Sequence, residues 1–193
     1  MTANRIKQAA MTLFTESGYE GASLSEIAKL VGIKTPSIYA HFDSKEQLFQ
    51  ALLTDVIAEE RSRFAALLAD TEDAAPIDRV RAAFGFFSDA EATKALSFLK
   101  RAIMVPPRHL RDRIRSDFAA YEQFLDERLT PLFQACFRDE ADAPRDVRPL
   151  TALFYGLVDG LIVEQEAYEE AVYRERQQML WEWFRSALAG ERR

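Results

Sequence analysis

The sequence contains few of the residues that make disulfides, metal sites or flexible turns. Of its 193 residues, one is Cys, two are His, seven are Gly and seven are Pro. A single Cys cannot close an intramolecular disulfide, and one Cys with two His is too small a set for a usual structural zinc site. We therefore predict a reducing compartment, no bound metal and no cofactor.

Long apolar runs are missing as well. No segment approaches the roughly eighteen apolar residues that a membrane-spanning helix needs, and the charged residues Arg5 and Lys7 fall within a helix-like pattern near the start. The share of hydrophobic residues, 48%, is too high for a disordered chain. The expectation is a folded, cytoplasmic protein of one or two compact units, with no membrane partner.

Positive charge is not in excess, because 25 Lys and Arg face 31 Asp and Glu, which gives a net charge of -6. Since Lys and Arg dominate binding to phosphates, this balance argues at first against a nucleic-acid partner. The distribution is uneven, however: residues 1–50 hold five basic and five acidic side chains, so the whole net charge belongs to residues 51–193. A neutral N-terminal segment can still be positive on one face.

Apolar residues recur with a helical period along almost the whole chain, as in Ile6, Ala10 and Phe14, and no strand pattern or repeat is present. The pattern predicts an all-α fold of about nine helices, in which Pro131 should kink or divide one long helix. The expected helices cover approximately residues 6–17, 23–31, 36–41, 45–68, 76–88, 89–105, 108–138, 146–167 and 170–189.

One segment, residues 23–42, has the proportions of a helix-turn-helix, in which the second helix lies in the DNA major groove. Ser23 and Glu26 form a capping-box pattern at the first helix, and a glycine ends it. Thr35, directly before a proline, predicts a capped start for the second helix. Helical hairpins with a glycine turn also occur in proteins that bind no DNA, so the spacing alone leaves both interpretations open.

The composition of the second helix favours DNA more specifically. Its polar side chains are short and uncharged, whereas a surface helix without a function more often carries Glu and Lys pairs. Ile38 and Phe42 can anchor it in the core, while Lys34 and Lys45 flank it near two helix N-termini that can face phosphates. The alternative is that its tyrosine only packs at the surface and its histidine is merely exposed.

Roughly the first 50 residues carry a characteristic combination of motifs. The first helix ends in Gly-Tyr-Glu-Gly, and the glycine turn is followed by Tyr-x-His-Phe at residues 39–42 and Lys-Glu-x-Leu at residues 45–48. In this combination the segment resembles the DNA-binding domain of the TetR family of bacterial transcriptional regulators. The resemblance implies a homodimer that binds a palindromic operator in double-stranded DNA, usually as a repressor, and releases it when a small molecule occupies the C-terminal domain.

The resemblance also implies, position by position, which residues contact DNA. The second motif helix would contact bases, sugars and phosphates, and the starts of the flanking helices would contact phosphates. Because the recognition helix lacks Arg, Asn and Gln, shape readout is expected to carry part of the specificity. The implied residues are Ser23, Ser25, Lys34, Thr35, Pro36, Ser37, Tyr39, His41 and Lys45.

We expect a DNA-binding domain at residues 1–47 and a helical ligand-binding and dimerisation domain at residues 48–193. Small residues form a stripe on the helix near residues 146–167, which fits close approach of another helix or room for a ligand. The last helix has more apolar surface than one neighbour can bury, which predicts a four-helix interface between two protomers. The alternative is that it only closes its own monomer. The expected interface residues are Ala152, Gly156, Gly160, Val163, Leu180, Trp183 and Phe184, with Trp181 and Leu188 outside the apolar face.

Aromatic and sulfur-containing side chains on the middle helices are candidates for lining a cavity that takes a partly apolar effector, although such stripes are more often core. The candidates are Phe84, Phe87, Phe98, Met104, Phe118, Tyr121, Phe154 and Tyr155. Four arginines between residues 108 and 115 fit either an anionic ligand or a solvated face. The competing class is an all-α enzyme or carrier, but no convincing catalytic or metal-ligand set is found, so we expect no enzyme. An activator, or a regulator without a ligand, also fits the sequence.

Overall fold

The computed structural model describes residues 2–89, 94–137 and 146–189. These residues form nine α-helices and one short 3₁₀ helix and contain no strand, which confirms the predicted all-α class. The α-helices are α1 (Thr2–Gly21), α2 (Leu24–Val31), α3 (Pro36–Tyr39), α4 (Lys45–Asp70), α5 (Pro76–Ser88), α6 (Lys94–Met104), α7 (Arg111–Ala135), α8 (Arg148–Ala167) and α9 (Glu170–Leu188). The 3₁₀ helix is Arg108–Leu110.

The expected helix ends are reproduced where turn residues decide them. In α1, Gly18 has φ 74° and ψ 174°, which interrupts the regular helix at the place where the sequence predicts its stop. A positive φ of this kind is strained for any residue with a Cβ, so glycine is the residue that allows the bend. Pro76 lies at the start of α5, where its missing N–H has no helical partner to lose.

Two helices differ from the expectation. Of the two outcomes predicted at Pro131, a division of the helix is wrong, because α7 continues from Arg111 to Ala135. Leu129 and Phe133, on either side of the proline, are fully buried, and this tertiary packing holds the helix together despite the lost hydrogen bond. The helix expected over residues 89–105 begins as α6 at Lys94, and residues 90–93 of that prediction lie outside the described residues.

The chain divides into two compact units. The first consists of Met1–Arg61 and Ala92–Tyr121, and the second of Ser62–Glu91 and Glu122–Arg193. The boundaries of these units differ from those of the expected domains at residues 1–47 and 48–193. The reason is that α6 packs against α1 and therefore belongs to the same unit as the N-terminal helices. The division into a DNA-binding and a ligand-binding domain stays a prediction about function.

The first unit has an aromatic core. Phe14, Phe49 and Phe98 are buried, and the ring of Phe49 meets those of Phe14 and Phe98 edge to face with 5.3 Å between centroids. Ile27 and Ile38 attach α2 and α3 to the rest of the unit with no exposed surface. Burial of each such side chain contributes about 1.5–3 kcal/mol, so the helix-turn-helix is held by side-chain packing.

The second unit is built around a second aromatic cluster. Phe154 has no exposed surface, and its ring lies 5.6 Å from the rings of both Phe133 and Phe184. Trp181 and Leu188 are buried as well, so the expectation that they lie outside the apolar face of the last helix is wrong. The face of α9 that packs inside this unit also carries Phe184, whereas Val172, Met179 and Trp183 of the expected apolar face are exposed.

Among the described helices, none combines the length and the apolar character that crossing a membrane requires.

Candidate nucleic-acid interface

The turn of the helix-turn-helix has a standard helix-ending geometry. Gly32 follows α2 with φ 75° and ψ 34°, the left-handed conformation that glycine adopts without strain. The next amide, that of Ile33, donates to the carbonyl of Ala28 at 2.9 Å, and the Gly32 amide donates to Lys29 at 3.2 Å. These bonds satisfy the last carbonyls of α2 and fix the direction in which the chain leaves it.

The predicted capping box at α2 is present. The Ser23 hydroxyl accepts from the Glu26 amide at 3.2 Å, and the Ser23 amide donates to the Glu26 carboxylate at 3.0 Å. The same hydroxyl also donates to that carboxylate at 2.7 Å. These hydrogen bonds to Ser23, with the nearby charge of Lys29, hold the pKa of Glu26 below its usual value. The proton of Ser23 is therefore already in use, so a phosphate contact at Ser23 would compete with the cap.

The start of α3 differs from the prediction. Thr35 has helical dihedral angles, φ -50° and ψ -40°, and its side chain makes no capping hydrogen bond. The carbonyl of Lys34 accepts from Ser37 at 2.9 Å, so the first turn begins one residue earlier than the cap that the sequence suggests. The Thr35 hydroxyl is consequently not used as a cap. The assigned helix is short and ends at Tyr39, with a turn continuing to His41.

The side chains predicted to contact DNA from α3 and its flanks lie on the surface. Tyr39 is 54% exposed, and Lys34, Ser37 and His41 are exposed too. No hydrogen bond or ion pair engages these four side chains within the described part of the chain. Their donors and acceptors are therefore free for an external partner. The alternative interpretation of Tyr39 as a half-buried packing residue does not fit this exposure.

The remaining members of the predicted set lie close by in the same unit. Ser25 on α2 and Pro36 at the first turn of α3 are exposed, and Thr35 is half-buried. The buried side chains of Ile38 and Phe42 hold the short helix from its other side, as the sequence predicts. One feature the sequence reading missed is Leu30 of α2, which is 59% exposed although it is apolar.

Lys45 has a structural role that the sequence did not reveal. Its ammonium donates to the carbonyls of Tyr19 at 2.8 Å and Ala22 at 3.1 Å, and it lies 4.2 Å from the centre of the Tyr19 ring. Two of its three N–H groups thus tie the start of α4 to the end of α1. At most one donor is left for a phosphate, and the contact of Lys45 with DNA stays a prediction.

Two further basic residues of the N-terminal segment are also engaged internally. Arg5 donates to the carbonyl of Val31 at 2.8 Å, which satisfies the end of α2, and Lys7 pairs with Asp55 at 2.6 Å. The sequence offers no strong signal for either contact, because both partners lie far away along the chain. Lys34 is therefore the main positive charge that the N-terminal segment presents to solvent, together with Lys29 on the surface of α2.

The residues predicted for a dimer interface divide into an exposed group and a buried one. Ala152, Gly156 and Gly160 are exposed, and a Cβ added at either glycine would meet no atom within 4 Å. Val163 and Trp183 are also exposed, the tryptophan by 57%, whereas Leu180 is half-buried. Phe184 has no exposed surface, since it packs on Phe133 and Phe154. Its assignment to the interface is corrected.

The residues predicted to line an effector cavity are distributed over both units. Phe98, Met104, Phe118 and Tyr121 belong to the first unit, and the other four belong to the second. Tyr121 and Phe154 are buried core residues, and their place in a cavity wall stays a prediction. The ordinary core interpretation of aromatic residues at helical spacing holds for them.

A cavity of about 520 Å³ lies in the second unit, between the end of α4, α5 and α9. Phe84, Phe86 and Trp181 give it aromatic walls, and Asp78 and Arg81 are charged groups in its lining. Next to it, Gln177 donates to the Ser88 carbonyl at 3.0 Å and to the Ser88 hydroxyl at 2.8 Å. The mixture of aromatic and polar groups suits an organic ligand.

Known proteins resemble the chain in two ways. Residues 6–52 match the family model described as bacterial regulatory proteins, tetR family. A segment of 47 residues is 49% identical to the biofilm operon icaADBC HTH-type negative transcriptional regulator IcaR of Staphylococcus aureus, strain Newman. That segment is 24% of this chain and 25% of IcaR.

The likeness to solved structures extends over nearly the whole chain. A TetR transcriptional regulator from Chloroflexus aurantiacus J-10-FL has a TM-score of 0.74 and 27% identity, over 97% of this chain and 93% of that one. Residues 6–52 are a TetR-family domain. AibR, solved in complex with isovaleryl coenzyme A and operator DNA, shares the fold with a TM-score of 0.65 and 21% identity over 97% of both chains.

The family match explains the pattern of the first unit. The matched segment contains the capping box of α2, the glycine turn, α3 and the first turns of α4, so it is the helix-turn-helix that the motifs predicted. The internally engaged Lys45 and Arg5 belong to the framework that holds the motif together.

Proposed function

We propose that this chain is a transcriptional repressor, without enzymatic activity, that acts as a homodimer on a palindromic operator and releases it when a small molecule binds. The observation that carries the proposal is the free, exposed set of Lys34, Ser37, Tyr39 and His41 on and beside α3. A recognition helix needs such side chains, short and unpaired, to approach base edges and phosphates. IcaR, which shares this segment, is named a negative regulator, and this supports repression rather than activation.

The mode of DNA binding follows from the few free cations. Because Lys34 is the main charged contact, binding to phosphates releases fewer counterions than binding by a lysine-rich domain. The DNA affinity of each protomer should therefore depend only weakly on salt concentration. The absence of Arg, Asn and Gln from α3 leaves hydroxyl, imidazole and apolar contacts to read the bases. DNA shape should therefore contribute to specificity.

The proposed dimer rests on the exposed apolar faces of α8 and α9. Gly156 and Gly160 provide an open strip for close approach of another helix, and Val163 and Trp183 provide apolar area beside it. A two-fold pair of protomers would present two recognition helices about 34 Å apart, one turn of DNA, or somewhat farther. Palindromic operators follow from that symmetry.

The proposed effector site is the cavity of the second unit. Its volume of about 520 Å³ lies within the range of small-molecule sites. AibR, with a similar fold, was solved with both a small-molecule thioester and operator DNA, which supports a ligand-responsive regulator here. A ligand lowers DNA affinity only to the extent that it binds the DNA-free arrangement more tightly.

The DNA-binding proposal is tested by selecting sequences from a random DNA pool with the purified protein and measuring affinity for the enriched sequence. We expect an enriched palindrome, and about tenfold weaker binding by Tyr39→Ala, or about 1.4 kcal/mol. Tyr39→Phe separates the hydroxyl from the ring, and Tyr168→Ala serves as the control for loss of an exposed tyrosine outside the motif. Selection without any enriched sequence would favour the competing carrier function.

The effector proposal is tested with a thermal-shift screen of metabolites and drugs, followed by DNA binding in the presence of each compound found. An effector should raise the thermal midpoint of the free protein and weaken binding to the selected DNA. If stabilising compounds leave DNA affinity unchanged, ligand release of the operator is wrong.

A further inference from the structure

A second cavity lies within the first unit, beside the aromatic core. It has a volume of about 250 Å³ and is bounded by the end of α1, the start of α4, α6 and the Pro106–Pro107 segment. Its residues lie outside the set predicted to contact DNA; Phe98 was a candidate for an effector cavity, and Arg108 is one of the four arginines that fit an anionic ligand or a solvated face. The proposed function therefore leaves this cavity without a role.

The apolar side of this cavity is well ordered by packing. Phe14, Phe49 and Phe98 line it, but each exposes 2% or less of its surface, so they support the wall and offer a ligand almost no surface. The apolar surface that a ligand can reach comes from Tyr19, which is half-buried, and Val105, which is 71% exposed. A preformed wall lowers the ordering cost of binding.

The rim of the same cavity carries two arginines, Arg101 and Arg108. Neither side chain forms an ion pair or hydrogen bond with any part of the chain that the structure describes. Glu20 also lines the cavity, so its lining contains two arginines and one glutamate. The local charge therefore favours an anion, although the chain as a whole is acidic.

The missing side chain of Gly18 leaves room for the guanidinium group of Arg101. A Cβ at Gly18 would lie 3.1 Å from the Nη2 atom of Arg101 and 3.4 Å from its Nε, closer than side chains normally approach. The glycine that bends α1 thus also makes room for the guanidinium above it. Arg101 is an exposed residue positioned against the backbone rather than a side chain extended into solvent.

We infer that this cavity binds a compact organic anion, a carboxylate attached to an apolar body of one or two rings. The guanidinium fork of arginine matches the two oxygens of a carboxylate, and the ring of Tyr19 and the side chain of Val105 are the apolar surface on which the body of the ligand packs. The volume of about 250 Å³ suits a ligand smaller than a drug-sized molecule. An inorganic anion would leave this apolar surface uncovered.

The position of the site gives such a ligand a route to the helix-turn-helix. Tyr19 lines the cavity, and its carbonyl accepts the hydrogen bond from Lys45 that ties α4 to α1. An occupant therefore contacts the segment that sets the start of α4. Binding itself does not depend on the proposed repressor function, because it is measured on the free protein.

The test uses 2-naphthoate as the probe, titrated into the full-length protein without DNA and followed by its fluorescence. The neutral isostere 2-naphthalenemethanol and the cation 2-naphthylmethylamine report whether charge decides binding. We expect 2-naphthoate to bind at least tenfold more tightly than either analogue. Equal binding of the acid and the alcohol would overturn the proposal, and this comparison requires no variant.

A variant then locates the site. The double substitution Arg101→Gln with Arg108→Gln should weaken 2-naphthoate binding at least tenfold, whereas Arg113→Gln should leave it unchanged, because Arg113 pairs with Asp117 and does not line the cavity. Circular dichroism and the thermal midpoint check that each variant is folded.

Amide chemical shifts provide a readout that does not depend on substitution. With 2-naphthoate bound, the resonances of Gly18 and Tyr19 should move. Shifts confined to the second unit would overturn the assignment of this site, and would do so whether or not the protein binds DNA.

Discussion

The surface of the helix-turn-helix and the surface formed by α8 and α9 are both exposed, but they differ in chemistry. On and beside α3 the free side chains are polar, as in Lys34, Ser37 and His41, with Tyr39 as the large ring. On α8 and α9 the exposed residues include Val163, Val172, Met179 and Trp183. Polar groups without partners suit a wet, charged partner such as DNA, and apolar groups suit another protein surface.

The comparison teaches that exposure alone does not identify a partner. Lys45 and Lys34 lie in the same matched segment, yet the ammonium of Lys45 binds two backbone carbonyls, whereas the side chain of Lys34 has no partner within the described residues. Likewise Trp181 and Trp183 are two positions apart on α9, and only Trp183 is exposed. Substitutions at these residues test both contrasts.

The largest expected effect is loss of the dimer in Trp183→Glu. A charge in an apolar interface and the loss of a large aromatic contact should weaken association at least about thirtyfold, or about 2 kcal/mol. Ultracentrifugation should then report the chain mass of 22.0 kDa at concentrations where the wild type has twice that mass.

The matched control for this variant is Met104→Glu, which places the same charge at an exposed apolar residue of α6. It should leave the mass unchanged. A wild-type protein that sediments as a 22.0 kDa species at micromolar concentration would contradict the dimer altogether.

A smaller effect separates the two lysines. Lys45→Gln should lower the free energy of unfolding by about 1–2 kcal/mol, because two backbone carbonyls lose a charged donor. Lys34→Gln should leave stability nearly unchanged and reduce the slope of log affinity against log salt by about one. Denaturant titration and DNA binding at several salt concentrations measure the two quantities. If Lys45→Gln changes only the salt slope, its structural role is wrong.

The smallest effect concerns the capping box. Hydrogen bonds from Ser23 lower the pKa of Glu26 in the folded protein. The charged carboxylate therefore stabilises the fold at pH values above its pKa in the unfolded chain, which is about 4.5. This contribution is lost as the pH falls through the lowered pKa. The difference in unfolding free energy between wild type and Glu26→Gln should therefore be constant near neutral pH and shrink below about pH 4.5.

Glu16→Gln, at an exposed position of α1 without a capping role, is the control for the pH experiment. Its difference from wild type should not show that acid-dependent loss. A difference for Glu26→Gln that stays the same down to pH 3 would show that the carboxylate does not act through its charge.

Much of the fold was predictable from local signals. The glycines at positions 18 and 32, the prolines that start α3 and α5, and the Ser23 capping box act within a few residues, so their effect is visible in the sequence. Pro131 was the exception, because burial of its neighbours in the second unit outweighs the local cost of a proline.

The candidate site was predictable as a segment but less so residue by residue. The family motif located the helix-turn-helix, and the exposure of Tyr39 and Lys34 agrees with the roles that it implied. The partners of Lys45 and Arg5 lie 23 to 26 residues away, a separation that helical periodicity does not report. Helical periodicity does not report the cavity of the first unit either, because its lining residues lie as far apart along the chain as positions 14 and 108.

The helical class, the helix ends at turn residues and the family motif can be predicted from the order of amino acids, because each depends on neighbours along the chain. Which lysine is free, which tryptophan is buried and which arginines line a cavity follows only from the folded protein. Those properties depend on which atoms packing brings together. When a helix has two apolar faces, its periodicity does not show which of them packs in the core. The net charge of -6 illustrates the difference, since the partners of each charged group, and not their sum, determine what remains available to DNA or to an anion.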